Sequence, residues 1–218
     1  MNTILITAAG KGLRMQSDIP KQFLELKGKP ILMHSIEKFL LFDPDIRIIL
    51  VLPEEQLSFW NKLCEKHQFN TDYLLVTGGS TRFESVKNGL KHAPDSGLIG
   101  VHDGVRPHIH PETIDRIYQA AARHDNAIPA IAPAESVRID VAGKSHIVDR
   151  STVRLIQTPQ VFDIALIKKA YEQGYRSSFT DDATVVEALG ARINLVEGEK
   201  KNIKITTRED LLIAKALL

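Results

Sequence analysis

The chain has 218 residues, 28 basic and 27 acidic side chains, 43% hydrophobic and 6% aromatic content; it can hold a sizeable core and fits the usual size of one domain over 1–218, although length alone also allows two small ones. Balanced charge argues against a nucleic-acid or membrane surface, which shows as a basic excess or a basic run. The lone cysteine, Cys64, excludes a disulfide framework and a thiolate zinc site, and without a signal-like leader or an apolar run near the ~20 residues of a membrane helix a cytoplasmic location is expected.

Short β-branched runs alternate with segments of helical period, which predicts an α/β fold of parallel strands covered by helices on both faces. The first run, Thr3 to Thr7, leads into T-A-A-G-K-G-L-R-M-Q-S-D-I-P-K, from Thr7 to Lys21. Gly10 and Gly12 leave no Cβ between backbone and ligand, exposed N–H groups at a strand-to-helix turn cradle anions, and Lys11, Arg14 and Lys21 add cations. The loop therefore reads as a polyanion site. It is neither the dinucleotide fingerprint, which needs glycine at Met15, nor a P-loop, which needs a second glycine five residues after the first; an ordinary βα turn with packing glycines is the other reading.

Further strands are expected at Ile46 to Leu52, Tyr73 to Thr77 and Leu98 to His102. Between them lie helical stripes: Leu32, Ile36, Phe39 and Leu40 after Pro30, then Leu57, Trp60 and Cys64, then Phe83, Val86 and Leu90, then Ile114, Ile117, Tyr118 and Ala121 after Pro111. Cys64 on such a stripe reads as a buried, inert thiol. After Ala127 to Ala132 the pattern changes. Glu135 to Asp140 and Ser145 to Arg150 form a polar hairpin turning at Val141 to Lys144, which serves as a flap, a dimerisation arm or a surface excursion. Arg154 to Thr158 then reads as a strand, Ile164 to Tyr171 as a helix, Asp181 or Asp182 to Leu189 as another, and Arg192 to Val196 and Ile203 to Ile205 as strands. Thr206 and Thr207 open a last helix docked by Leu211, Leu212 and Leu217.

In an open α/β sheet the ligand crevice lies at the carboxyl ends of the strands. The third run ends in Thr77-Gly78-Gly79-Ser80-Thr81-Arg82 and leads on to Ser85; its glycines let backbone groups approach a flat heterocycle, although Gly-Gly turns are also common. The fourth ends in His102-Asp103-Gly104-Val105-Arg106-Pro107. An acid there suits Mg²⁺ held against phosphates, or else an Asp103–Arg106 pair ties the loop. His102, His108 and His110 lack a second ligand pair at zinc spacing. Lys204, inside an apolar run, is either another site cation or part of an ordinary alternating edge strand.

Read together, A-A-G-x-G-x-R-M, P-K-Q, G-G-x-x-R-x-x-S-V, H-D-x-x-R-P, V-D-R, T-P-Q, T-D-[DE]-A-[ST] and N-I-K-[IV]-T span nearly the whole chain. This ordered set resembles the 2-C-methyl-D-erythritol 4-phosphate cytidylyltransferases, CTP-using enzymes of the non-mevalonate isoprenoid pathway. The resemblance implies a Rossmann-like three-layer sandwich of the nucleotide-diphospho-sugar transferase type, with 135–150 as an arm that builds a homodimer and reaches the partner's active site. It implies that Ala8, Ala9, Gly10, Gly12, Arg14 and Lys21 surround the CTP triphosphate. Gly79, Ser80 and Ser85 would read the cytosine, Arg82 would be a further nucleotide-binding residue, Asp103 would bind Mg²⁺, and Lys204 would stabilise the charge at the α-phosphate. Arg106, Ser136, Arg150 and Thr180 would receive the acceptor, with Arg14, Lys21 and Lys204 catalytic. Gly104-Val105, in place of the usual A-A, is a step toward the ribitol-5-phosphate cytidylyltransferases, which show H-D-S-V-R-P. Ribitol phosphate is thus the alternative acceptor, and a non-catalytic nucleotide-binding regulator the more distant alternative. The residues suit a reaction without a protein nucleophile: a phosphate monoester, with a second pKa near roughly 6, is already an ionised nucleophile at neutral pH.

Overall fold

The computed structural model describes residues 2–8 and 19–218. In chain order, β1 (Asn2–Thr7) is followed by a tight turn at Lys21–Phe23, the short strands β2 (Glu25–Leu26) and β3 (Lys29–Pro30), and α1 (Ile31–Phe42). Next come β4 (Arg47–Leu52), α2 (Glu54–His67), β5 (Leu74–Thr77), α3 (Arg82–Leu90), β6 (Leu98–Asp103), α4 (Pro111–His124) and β7 (Asn126–Ile131). The hairpin is β8 (Val137–Val141) and β9 (Lys144–Val148); β10 (Leu155–Ile156), β11 (Gln160–Asp163), α5 (Ile164–Ala170), α6 (Asp182–Glu187), β12 (Leu195–Glu197) and α7 (Arg208–Leu217) complete the fold.

The main sheet has 8 strands, ordered β10-β7-β11-β6-β1-β4-β5 with β12 beside β7. β1 is parallel to β4 and β6, and β4 to β5, while β11 runs antiparallel between β6 and β7. Strands buried on both faces read as continuous apolar runs, and alternate residues go to opposite layers. Ile4, Ile6, Ile48, Leu50 and Leu52 pack with Leu32, Ile36, Trp60, Ile114 and Ile117 of α1, α2 and α4. Leu5, Ile49, Val51, Ile99 and Val101 pack with Phe83, Val86, Ile164, Ile167 and Val186 of α3, α5 and α6. The three-layer architecture follows directly.

Helix ends are fixed locally. Capping boxes open α3 (Thr81, Glu84), α6 (Asp181, Thr184) and α7 (Thr207, Asp210), each cap worth about 1 kcal/mol. Glu54 and Glu55 start α2 and Lys66 and His67 end it, complementing its dipole. Cys64 is half-buried, its Sγ 3.5 Å from the Tyr73 hydroxyl, and burial pushes its thiol pKa up, as an inert thiol requires.

Four expectations need correction. Ile203 to Ile205 is an extended segment rather than a sheet strand; it bonds through Ile205 N–H to the Val105 carbonyl at 3.0 Å. The strand expected at Arg192 to Val196 is confined to Leu195–Glu197, and Arg154 to Thr158 contributes only β10, with β11 following it. In α7, Leu211 docks as expected, against Leu26, Ile31 and Ile205, but its companion there is Ala214, and Leu212 is 66% exposed. The antiparallel β11 and the strand β7 have no counterpart among the expected elements.

Candidate active site

The strand order reverses between β1 and β6, the place where an open α/β sheet leaves a crevice at its carboxyl edge. Thr7 and Asp103 are register partners there, and Gly104 N–H donates to the Thr7 carbonyl at 2.9 Å. Gly78 N–H donates to Leu52 O at 2.8 Å, so the loop after β5 rises from the same edge. Two clefts open on it. One, of about 180 Å³, is lined by Thr7, Ala8, Lys21, Gly79, Ser85 and Val105 among others. The other, of about 190 Å³, is lined by Arg106, Gln157, Thr158, Gln160, Thr180 and Asp181. Arg82, Asp103 and Lys204 line both.

Asp103 is the hub. Its Oδ2 lies 2.9 Å from Lys204 Nζ and 3.4 Å from Arg106 Nε, and its Oδ1 3.8 Å from Arg82 Nε. Burial alone would raise its pKa; Arg82, Lys204 and Arg106 outweigh that and hold the carboxyl well below the usual carboxylate range. A depressed carboxyl stabilises the fold above the unfolded pKa of ~3.9 and loses that contribution only as pH falls through its lower folded value. Arg106 is fixed by Nη1 donating to Asn202 O at 2.8 Å. The Asp103 N–H donates to Thr158 Oγ1 at 3.1 Å, which also lies 3.1 Å from His102 Nδ1. His102 Nε2 lies 3.2 Å from the Arg106 carbonyl, which can only accept, so Nε2 carries the proton and Nδ1 accepts from Thr158. Burial pushes the His102 pKa down to about 3, so this histidine is a neutral strut.

Lys21 reaches the same cleft from the other end of the chain: its Nζ donates to Ile205 O at 3.2 Å, beside Lys204. The buried Gln22 amide secures that turn, donating to Ala8 O at 2.7 Å and Gln56 Oε1 at 2.6 Å. In the loop before α3, Ser85 Oγ accepts from Gly79 N–H at 3.1 Å and donates to Thr81 O at 2.9 Å. A Cβ on Gly79 would collide with the Glu84 side chain and come within 3.2 Å of its backbone carbon. Glu84 draws the loop in: Ser80 donates both its N–H, at 2.8 Å, and its hydroxyl to Glu84 Oε2. Ser80 would have to trade those bonds to contact a base.

Of the residues singled out from sequence, Ala8, Lys21, Gly79, Ser80, Arg82, Ser85, Asp103 and Lys204 line the first cleft, and Arg106 and Thr180 the second. Ser136 and Arg150 line neither; Arg150 Nη1 donates to Ala134 O at 2.8 Å at the base of the hairpin. Ala9, Gly10, Gly12 and Arg14 lie outside the described residues. Sequence reasoning passed over Gln22, Thr158, Gln160 and Asp182. The first three stand in the motifs P-K-Q and T-P-Q and Asp182 in T-D-[DE]-A-[ST], motifs that signalled a family but no role for these residues. Among the described residues no group of three or more His, Cys, Asp or Glu side chains could hold a metal.

Comparison with known proteins gives a consistent picture. The family model for 2-C-methyl-D-erythritol 4-phosphate cytidylyltransferase matches residues 2–218. Proteins of that name from Bacteroides thetaiotaomicron and Bacteroides fragilis are 51% and 52% identical over 216 residues, 99% of this chain and 99% of theirs. The crystal structure of 4-diphosphocytidyl-2C-methyl-D-erythritol synthase from Anaerococcus prevotii superposes with a TM-score of 0.83 at 32% identity, covering 99% of this chain and 94% of that one.

Proposed function

The chain belongs to the 2-C-methyl-D-erythritol 4-phosphate cytidylyltransferase family, and from that premise we propose that its two clefts are the nucleotide and acceptor halves of one site. It transfers CMP from CTP to 2-C-methyl-D-erythritol 4-phosphate in isoprenoid precursor biosynthesis, giving 4-diphosphocytidyl-2-C-methyl-D-erythritol and pyrophosphate. The observation that carries the two-cleft reading is the set Arg82, Asp103 and Lys204, which lines both clefts at their junction. An acceptor phosphate oxygen attacks the α-phosphorus of CTP from the second cleft, forming the new P–O bond as the bond to pyrophosphate breaks. Both substrates are anions, so the protein's work is to bring them together and offset the developing charge. Lys21 and Lys204 do this in the nucleotide cleft with Arg14, while Arg106 and Thr180 receive the acceptor. Gly79, Ser80 and Ser85 approach the base.

Asp103 suits a divalent ion by its chemistry. It is ionised, it faces both clefts, and Mg²⁺ takes one or two carboxylates with phosphate oxygens and water. Lys204, with a 41% exposed side chain, is the neighbour able to move from it onto a phosphate. Bound there, Mg²⁺ supplies charge neutralisation at the CTP phosphates. The reading takes residues 1–218 as one nucleotidyltransferase domain working in the cytoplasm; among the described residues no helix is long and apolar enough to cross a membrane.

Measuring pyrophosphate release with CTP and either methylerythritol phosphate or ribitol phosphate tests the assignment. Release with the first is expected; release with ribitol phosphate alone overturns it. The acid limb of kcat/KM should fall near roughly pH 6, where the acceptor phosphate takes its second proton. Neither Asp103, held ionised, nor neutral His102 titrates there. A phosphonate acceptor of higher second pKa should move that limb upward, and a limb fixed in place would contradict an ionised-phosphate nucleophile.

The same reading makes the hairpin a dimer arm. A two-stranded hairpin is marginal alone in water, yet β8 and β9 expose Ile139, Val141 and Ile147 by 53%, 59% and 78%. Among the described residues, Ser136 and Arg150 line neither of the two clefts, and we assign them to the acceptor cleft of a second copy. Arg150→Ala should raise the KM for the acceptor about tenfold or more, as loss of a charge-assisted phosphate contact does. In a heterodimer of Arg150→Ala with Lys21→Ala chains, one of the two sites regains both residues and activity should return in part. Verified heterodimers without that recovery would sink the crossover.

A further inference from the structure

We propose that Asp182 and Tyr171 are positioning residues that hold the Arg82 guanidinium at the junction of the two clefts, so that a pre-aimed positive charge stands where the phosphates of the two substrates meet. The proposal rests on the two-cleft reading above and adds residues that touch neither substrate. Arg82 opens α3 and Asp182 opens α6, 100 residues apart. Arg82 Nη1 donates to Asp182 Oδ1 at 2.9 Å and Nη2 to Oδ2 at 2.6 Å, the bidentate geometry that fixes the plane as well as the position of a guanidinium. The Tyr171 hydroxyl donates to Asp182 Oδ1 at 2.6 Å, and the tyrosine ring is stacked on Phe83, centroids 4.7 Å apart.

Exposure is uneven across this pair. The Asp182 side chain is 0% exposed and that of Arg82 32%, so the cleft can reach the cation and not the carboxylate. The start of α6 that carries Asp182 is itself pinned, with Ala183 N–H donating to Gln160 Oε1 at 2.8 Å and Gln160 Nε2 donating to Asp181 Oδ2 at 2.8 Å. With Nη1 and Nη2 engaged, Nε is left 3.8 Å from Asp103 Oδ1, and Arg82 lines both clefts. A buried ion pair is seldom a better stabiliser than a packed apolar pair of similar volume, because desolvation offsets most of the Coulombic gain. What it does provide is orientation. An unheld arginine loses side-chain entropy each time it meets a ligand, whereas one already fixed does not, and that difference appears in the rate.

The test uses the full-length enzyme with CTP and methylerythritol phosphate. Asp182→Asn, Tyr171→Phe, Arg82→Lys and the two double variants with Arg82→Lys are compared for kcat, KM and thermal midpoint. Asp182→Asn should lower kcat about tenfold and Tyr171→Phe about threefold, as displacement of a group that must stay aligned does, with each KM within about threefold of wild type. In the Arg82→Lys background both substitutions should cost less than about a further twofold, since the fork they hold is gone. Losses that multiply in the double variants, or folded single variants with unchanged kcat, overturn the proposal, as does a lowered midpoint with kcat intact. Should Asp182→Asn fail to fold, Tyr171→Phe, which keeps its ring stack, decides alone. Absence of CMP transfer by the wild type overturns the functional reading and this proposal with it; an active wild type with indifferent variants overturns only the positioning role.

Discussion

An Asp103→Asn enzyme is expected to fold and to turn over on the order of 10³ times more slowly than wild type, at the upper end of what removing one preorganised charge element costs. Asparagine keeps the shape and the backbone N–H bond to Thr158 Oγ1, so the edge of β6 is retained. It removes the anion that Lys204, Arg106 and Arg82 approach at 2.9, 3.4 and 3.8 Å. Three cations then repel one another across the junction of the clefts, and the group that drew Lys204 inward is lost. Arg106 still holds the Asn202 carbonyl and Arg82 still holds Asp182, so the largest displacement falls on Lys204. The proposed Mg²⁺ loses its carboxylate at the same time, so the magnesium concentration for half-maximal rate should rise. Steady-state kinetics across a magnesium series, with a thermal midpoint to show folding, check both effects. A folded variant with near-normal turnover at ordinary magnesium would remove Asp103 from the mechanism.

How far the sequence reached can be seen element by element. Ile4, Leu5 and Ile6 read as a doubly buried strand because no polar residue interrupts them, and polar groups at the ends of the third and fourth runs, Ser80, Arg82 and Asp103, line the clefts. β7 escaped notice because Asn126-Ala-Ile-Pro-Ala-Ile combines weak strand formers with Pro129, which lacks a ladder donor. Its place in the sheet comes from long-range pairing with β11, β10 and β12, and local periodicity holds no trace of that. Ile203-Lys204-Ile205 misled in the opposite direction. Its alternation suits a strand, but here it sends Ile205 into the cluster around Leu26 and Val105 and Lys204 toward Asp103, with no sheet neighbour. Asp182 looked like one more acid in a helix cap, since its partner Arg82 lies 100 positions away.

The departure at Gly104-Val105 has a packing account. A Cβ at Gly104 would approach Leu32 Cδ1 to 2.8 Å and Ala8 Cβ to 3.2 Å, so the glycine answers to the leucine behind it. Val105 packs with Leu26, Ile31, Ile205 and Ala214 and lines only the nucleotide cleft. Neither side of the dipeptide meets the cleft that would receive a sugar phosphate. On the proposed division of the clefts, the likeness to H-D-S-V-R-P falls on residues outside the acceptor half.

Lys21→Ala should lower kcat by a factor on the order of 10² or more while the fold stays intact, the effect of losing one charge donor aimed at the transition state. The turn that bears Lys21 does not depend on its ammonium. Phe23 N–H donates to Pro20 O at 2.8 Å, Gln22 ties the turn to Ala8 and Gln56, and the Phe23 ring stacks on Trp60 at 5.9 Å. The thermal midpoint should accordingly stay within about 2 °C of wild type, less than 1 kcal/mol for a chain of this size. The ammonium itself meets Ile205 O, one residue from Lys204, so two cations from opposite ends of the sequence converge on one cleft. That convergence separates a charge that follows the reaction from one that merely retains CTP. If Lys21 only bound the triphosphate, KM for CTP would rise and kcat would hold. If it acts on charge that grows as pyrophosphate leaves, kcat falls at saturating CTP, and Lys21→Arg, which keeps the charge but replaces a compact ammonium with a planar fork, recovers only part of it. A folded Lys21→Ala enzyme with near-normal kcat and a raised KM would reassign this lysine to binding alone.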